Sequence, residues 1–168
     1  MSDRGYVWFA FGEKYIEASE RLAASIKKHN RYNKICVITD NHWLQLPNAI
    51  KNVDTVELFE GETKGKFEKE WQVFKFSPFT HSIKLEADMI FTENTDWWWN
   101  YLEQWDMVHS YNCRNYKDDV VKTTKYRKLF EQNELPNVYS GLHYFRKSIW
   151  SMQFYIVCKR ITTNWEYV

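Results

Sequence analysis

The switch of hydrophobic period between Tyr6 and Thr39 constrains the fold more than any other feature of the chain. Tyr6 to Phe11 is an unbroken aromatic and apolar run closed by Gly12, the pattern of a strand buried on both faces. From Glu13 to His29 the apolar residues Tyr15, Ala18, Leu22 and Ile26 recur at helical spacing, with no Pro or Gly to interrupt them. Asn30 to Asn33 is a turn, after which Lys34 to Thr39 returns to a short β-branched run. Strand, helix and strand in this order form a β-α-β unit, which implies a parallel pair with a right-handed crossover. Sheets of that kind place their ligands beyond the carboxyl ends of the strands.

The rest of the chain continues the alternation. The pattern predicts a loop from Pro47 to Asn52, a strand from Val53 to Phe59 and a charged connection from Gly61 to Gly65. A helix from Phe67 to Phe76 is ended by Pro78, and a strand follows from Ser82 to Phe91. Then come a helix from Trp97 to Gln104 behind a cap at Thr95 or Asp96, a strand from Met107 to Tyr111 and a helix from Lys125 to Glu131. A strand from Val138 to Phe145 and a helix from Ile149 to Thr162 complete the order. No internal repeat or linker divides the chain, so residues 1–168 are expected to form one α/β domain around a mostly parallel central sheet.

Charge and cysteine usage exclude several function classes. Lys and Arg number 23 against 22 acids, a net charge of +1, so no global field draws in a polyanion and nucleic acid is not an expected partner. Lys64, Lys66 and Lys69 alternate with Glu62, Glu68 and Glu70, and this stretch reads as a solvated face. Cys36, Cys113 and Cys158 have no metal-binding spacing and their odd number leaves no complete disulfide set, which points to a reducing, cytoplasmic setting. No run approaches the roughly 18–20 apolar residues of a membrane span, and the N-terminus lacks a signal-peptide pattern. His42, His81 and His109 lack zinc spacing and are expected to be surface or satisfied polar residues. Neither GxSxG nor a phosphate-binding GxxxxGK[ST] occurs. Trp97, Trp98 and Trp99 cannot all face one way on a helix, so an exposed indole is expected there, with a homodimer contact as its favoured use over sugar stacking.

The chemistry is concentrated in Ile83-Lys84-Leu85-Glu86-Ala87-Asp88-Met89. On a strand, Ile83, Leu85, Ala87 and Met89 share one face and Glu86 and Asp88 the other, the two acids standing roughly 6.6 Å apart at the backbone. Carboxylates at that spacing, with water and substrate phosphates, suit Mg²⁺ or Mn²⁺. A solvated edge strand gives the same pattern, and spacing alone does not choose between the two.

The stretch from Ser77 to Met89, SPFTHSIKLEADM, resembles the segment that carries the DxD motif in glycogenin-like glycosyltransferases of the GT-A fold. Asn137 to Ser148, NVYSGLHYFRKS, is similar to the later Asn-Ser-Gly strand of that family, in the expected order. The resemblance implies a GT-A, Rossmann-like fold and a UDP-sugar donor held through Mn²⁺ or Mg²⁺. It implies that Asp88 is the main metal ligand and Glu86 the second ligand or a ribose partner. Ala10, Phe11 and Gly12 would border the nucleotide, Tyr15 would stack on the base unless it is a core contact of the first helix, and Ser140 and Gly141 would line the sugar and acceptor side, where Gly141 reads equally as a packing glycine. Two departures stand out: Glu86 occupies a position that is usually Asp, and Tyr139 occupies that of the motif Asn. The family's further histidine ligand has no counterpart before Val168, leaving His143 or a C-terminal group to complete the metal shell.

The resemblance therefore implies a cytoplasmic hexosyltransferase, retaining in stereochemistry, acting on an unidentified acceptor and capable of slow donor hydrolysis. It assigns no catalytic base. A non-catalytic nucleotide-sugar-binding or scaffold protein of the same descent is the alternative. A Mg²⁺-dependent nucleotidyltransferase or phosphatase would use the acid pair too, but leaves Tyr139-Ser140-Gly141 without a role.

Overall fold

A computed structural model describes residues 3–41, 50–60, 69–114, 117–119, 132–136 and 138–164. The expected helix from Lys125 to Glu131, the connection from Gly61 to Gly65, and His42 lie outside these residues. So do Lys64, Lys66, Glu62, Glu68 and Asn137.

Six strands form one sheet: β1 (Arg4–Phe9), β2 (Lys34–Thr39), β3 (Thr55–Leu58), β4 (His81–Lys84), β5 (Met107–Tyr111) and β6 (Val138–Arg146), in the order β3-β2-β1-β4-β6-β5. Pairings β1–β2, β1–β4 and β2–β3 are parallel, and β6 runs antiparallel between β4 and β5. The expected mostly parallel sheet is therefore present, with the three strands of the sequence motifs side by side at its centre. β1 is buried on both faces, as its continuous apolar run demands: Tyr6 and Trp8 enter one core, Val7 the other.

Helix α1 (Glu13–His29) forms where the helical period was read. Glu13 in its first turn and Lys27, Lys28 and His29 in its last oppose the helix dipole favourably. Its buried face, Ala18, Ser19, Leu22, Ala23 and Ile26, packs on the Tyr6–Trp8 side of the sheet, where Trp8 Nε1 donates to Ser19 Oγ over 2.8 Å. The opposite face is covered by α2 (Val73–Phe76), a short 3₁₀ turn Glu70–Gln72 before it, and the final helix α4 (Ile149–Thr163). The expected helix from Phe67 is thus helical only from Glu70, among the described residues.

The Trp cluster resolves as its geometry requires. In α3 (Trp97–Leu102), two residues shorter than expected, Trp99 is buried beside Tyr6, Trp98 is half-buried and Trp97 is exposed. Asp96 sits at the N-cap position without a side-chain capping bond. Among the described residues no helix is long and apolar enough to cross a membrane, and the three thiols are free.

One expected strand is cut short. The hydrogen-bonded ladder of β4 covers His81–Lys84, and Glu86 to Met89 instead form a turn closed by Met89 N–H donating to the Glu86 carbonyl over 3.1 Å. Leu85 and Ala87 remain buried with Ile83, so the alternation that suggested a strand to Phe91 is real in burial. Ladder partners are what fail. β1 takes one more bond, from the Leu85 N–H to the Val7 carbonyl over 2.9 Å, and β6 leaves register at the positions that would pair with Leu85 and Glu86: Lys84 opposes His143, but Ser110 on β5 already faces Tyr139 while His109 faces His143. Glu86 and Asp88 are therefore carried on a turn at the carboxyl end of β4, not on a strand face.

Candidate functional site

The register break in β6 builds the site. Ser140, Gly141 and Leu142 form a bulge, and the carbonyls freed around it need new partners. Ser110 Oγ donates to the Leu142 carbonyl over 2.7 Å and lies 3.3 Å from that of Tyr139. His143 Nδ1 meets the Ser140 carbonyl at 2.8 Å, and Lys84 Nζ donates to the same oxygen at 3.4 Å. Since a carbonyl only accepts, His143 carries its proton on Nδ1, and its bare Nε2 accepts from the Tyr155 hydroxyl at 2.8 Å. Burial holds the imidazole neutral, lowering its pKa to about 3.

The bulge turns Tyr139 onto the acid pair. Its hydroxyl donates to Glu86 Oε2 over 2.6 Å. Burial, and then the Glu86 carboxylate that it serves, push the phenol's pKa up, so it remains a donor throughout the physiological range. Gly141 is what allows this approach: a Cβ there would stand 2.6 Å from both Glu86 Cδ and Tyr139 Cζ. Gly141 is thus a close-approach glycine, wedged behind the acid pair.

Glu86 and Asp88 open into a cleft of about 180 Å³ at the carboxyl ends of β1 and β4. Its lining combines the rings of Phe9, Phe11 and Tyr15 with Glu70, Lys84 and the Leu85–Asp88 turn. Phe11 is braced by Phe9 at 5.5 Å and Phe59 at 5.2 Å between ring centroids. Gly12, with φ of 78° and ψ of 160°, swings the chain from β1 into α1, a conformation essentially reserved for glycine. Of the residues singled out in the sequence, Phe11, Tyr15, Glu86 and Asp88 line the cleft. Ala10, Gly12, Ser140 and Gly141 adjoin lining residues without lining it themselves. Ala10 is buried, its N–H donating to the Ile38 carbonyl over 2.8 Å.

Two residues of the candidate cleft are not indicated by the sequence motifs. Lys84, whose side chain is 1% exposed, donates to Glu70 Oε2 over 3.0 Å. Glu70, expected on a solvated face, is mostly buried. Burial raises its pKa while the Lys84 ammonium opposes the rise. The available signal was Lys84 itself, a cation within a buried strand, which demands a counter-charge from elsewhere in the chain.

Three further expectations are corrected or refined. His143 is not an available metal ligand, because both ring nitrogens are engaged and the ring is buried. His81 is satisfied by the Tyr144 hydroxyl at 2.7 Å, but His109 is half-buried and not satisfied. Its two nitrogens are buried without a partner among the described residues, and its ring stacks on His143 at 4.9 Å. Among the described residues no group of three His, Cys, Asp or Glu side chains is placed to hold a metal ion.

A larger groove, about 340 Å³, lies beside α3 under Trp97, Trp98 and Tyr101. No carboxylate lines it, so it offers nothing to a cation and diphosphate. The acid-pair cleft is the better candidate despite its smaller size.

No protein-family model matches the sequence, and no curated protein matches it. Among solved structures the chain is similar to the glycosyltransferase GlyE of Streptococcus pneumoniae TIGR4, with a TM-score of 0.62 at 15% identity over 100% of this chain. It is also similar to the apo form of that protein, with a TM-score of 0.56 at 15% identity over 99% of this chain. The chain spans 41% and 39% of those two structures' own lengths. At this identity the likeness is one of architecture: the chain has the α/β, GT-A-like fold that the sequence motifs led one to expect.

Proposed function

We propose that this chain is the donor-binding domain of a metal-dependent glycosyltransferase that passes a hexose from a UDP-sugar to an acceptor hydroxyl. The observation that carries the reading is the cleft at the carboxyl ends of β1 and β4, lined by aromatic rings together with the Glu86–Asp88 turn. Ligands of open α/β sheets bind at such ends. In this reading Phe11 and Tyr15 flank the nucleotide, while Glu86 and Asp88 face its diphosphate.

The donor set supports a hard cation. Glu70, Glu86 and Asp88 face a single ammonium, Lys84, so the cleft wall is net anionic and repels a bare diphosphate. Two carboxylates with phosphate oxygens and water form a shell suited to Mg²⁺ or Mn²⁺. The Tyr139 bond occupies part of Glu86 Oε2 and leaves the other carboxylate lone pairs for a ligand. A divalent cation bound there would neutralise the diphosphate and stabilise UDP as the leaving group. The protein's part is to fix the Glu86 carboxylate through Tyr139 and to present Asp88 at the open side of the cleft, where it is exposed.

Calorimetry with UDP in Mn²⁺ and in EDTA tests the site. Binding is expected only with the metal, and Asp88→Ala should abolish it; equal affinity in EDTA would end the reading. UDP release from UDP-glucose and UDP-galactose tests catalysis, with slow hydrolysis expected before an acceptor is found.

The prior engagement of Glu86 by Tyr139 favours a second reading, a non-catalytic nucleotide-sugar-binding or scaffold protein. Metal-dependent binding of every donor without UDP release would select it.

A further inference from the structure

We propose that Glu70 reads the hydroxyls of the donor's sugar and restricts the cleft to uncharged hexoses. The proposal rests on the donor-site reading above and adds a specificity-determining residue to it. Glu70 does not belong to the acid pair. It enters the cleft from the 3₁₀ turn Glu70–Gln72, a separate element joined to β4 through Lys84.

Its position is set by Lys84. That ammonium donates to Glu70 Oε2 at 3.0 Å and lies 3.4 Å from the Ser140 carbonyl, so Glu70 is tied to the β6 side of the cleft, where Tyr139 meets Glu86. The proposal gives this β6 end of the cleft to the sugar and the rings of Phe11 and Tyr15 to the nucleotide. The Glu70 side chain keeps 24% of its surface open against 1% for Lys84, so the carboxylate, not the ammonium, is what a ligand meets.

A carboxylate held still by a buried cation has remaining lone pairs directed at fixed points, and it accepts strong, charge-assisted hydrogen bonds from hydroxyls. It cannot donate to an acceptor-only group. A sugar bearing its own carboxylate would set that charge against Glu70 with Glu86 nearby, both within one anionic cleft. Neutral hexoses are therefore favoured and hexuronates rejected. The alternative role, a mere counter-charge for Lys84, makes no distinction among sugars.

The test is calorimetry in Mn²⁺ with UDP, UDP-glucose, UDP-galactose and UDP-glucuronate, comparing wild type with Glu70→Gln. Wild type should bind the two UDP-hexoses more tightly than UDP and discriminate against UDP-glucuronate. Glu70→Gln should weaken the UDP-hexoses about tenfold relative to UDP measured on the same variant and narrow the gap to UDP-glucuronate, as loss of a hydrogen bond to a charged group implies. Thermal melts check the fold. If Glu70→Gln does not fold, Glu70→Gln with Lys84→Met removes both members of the pair, and the same loss of sugar discrimination is expected. Equal weakening of UDP and UDP-hexoses, or no change in either, overturns the assignment and leaves Glu70 as the partner of Lys84. Wild type that binds UDP but gains nothing from the hexose overturns this proposal alone. Wild type that binds neither UDP nor any UDP-sugar overturns the donor-site reading and this proposal together.

Discussion

The Tyr139 hydroxyl donates to Glu86 Oε2 over 2.6 Å, and the two side chains meet across the missing Cβ of Gly141. This contact joins the two departures from the glycogenin-like pattern into one structural change. Glu86 is one methylene longer than the usual Asp, and Tyr139 is longer than the usual Asn. The extended acid reaches back over Gly141 to the phenol that the β6 bulge presents. Each substitution alone leaves the other without its partner.

The coupling is measurable. Tyr139→Phe keeps the ring and removes only the donor, and it should weaken Mn²⁺-dependent UDP binding by about 10–100-fold, the usual cost of deleting the hydrogen-bond partner of a metal-ligating group. Glu86→Asp should lose the same contact. Combined, the two variants should cost less than the sum of their separate effects, by about 0.5–3 kcal/mol in a double-mutant cycle. Additive losses would show that the hydrogen bond contributes nothing to the site.

Gly12 and Gly141 should respond to alanine for opposite reasons. At Gly12 no atom lies within 4 Å of an added Cβ, but φ of 78° is strained for any L side chain. Gly12→Ala should therefore cost about 1–3 kcal/mol in a denaturant titration. It should leave the Tyr139–Glu86 contact intact.

At Gly141 the cost is one of space. The added methyl would lie 2.6 Å from Glu86 Cδ and from Tyr139 Cζ, so both must move. A stability loss of about 1–3 kcal/mol is expected from overpacking. Unlike Gly12→Ala, Gly141→Ala should also abolish metal-dependent UDP binding, and retention of wild-type affinity would show that the acid pair tolerates displacement.

The sheet was legible because its signals are local. β1, α1 and β2 announce themselves by a change of period, and a parallel pair follows from their order. Glu86 and Asp88 were legible as a pair, yet their setting was misread. Burial continues to alternate through Ala87 although the last bond to β1 is made by the Leu85 N–H, and period reports burial, not ladders. The bulge that stops the ladder depends on Ser110 and Lys84 satisfying carbonyls far from them in the chain, beside the local bond from His143 to Ser140. Glu70 was hidden for the same reason: a carboxylate in a charged stretch looks solvated until Lys84 is brought beside it. Gly141 gave a signal that could be read either as packing or as ligand contact, and the Cβ test assigns it to packing behind the ligand wall.

Acidification should destabilise the fold through His143. Its pKa falls to about 3 in the folded state, with burial the largest cause, against 6.5 in the unfolded chain. The unfolded state alone takes up the proton between these values, so the stabilisation is complete above pH 6.5 and is lost as pH falls toward 3. At pH 5 the loss from this residue is about 2 kcal/mol. The neighbouring groups enter as well. His109 on β5, also lowered by burial, adds to the trend, while Glu70, raised by burial, acts against it. Lys84 on β4 disfavours the imidazolium, and Tyr155 on α4 donates to Nε2. The comparison must therefore be between variants. His143→Gln removes the titrating group from this surrounding, and urea midpoints at pH 7 and pH 5 should lie closer together than in wild type, even though the variant is less stable at both. An unchanged difference between the two midpoints would show that the imidazole is charged at pH 5 in the folded chain as it is in the unfolded one, and that the bond to the Ser140 carbonyl does not depend on its protonation.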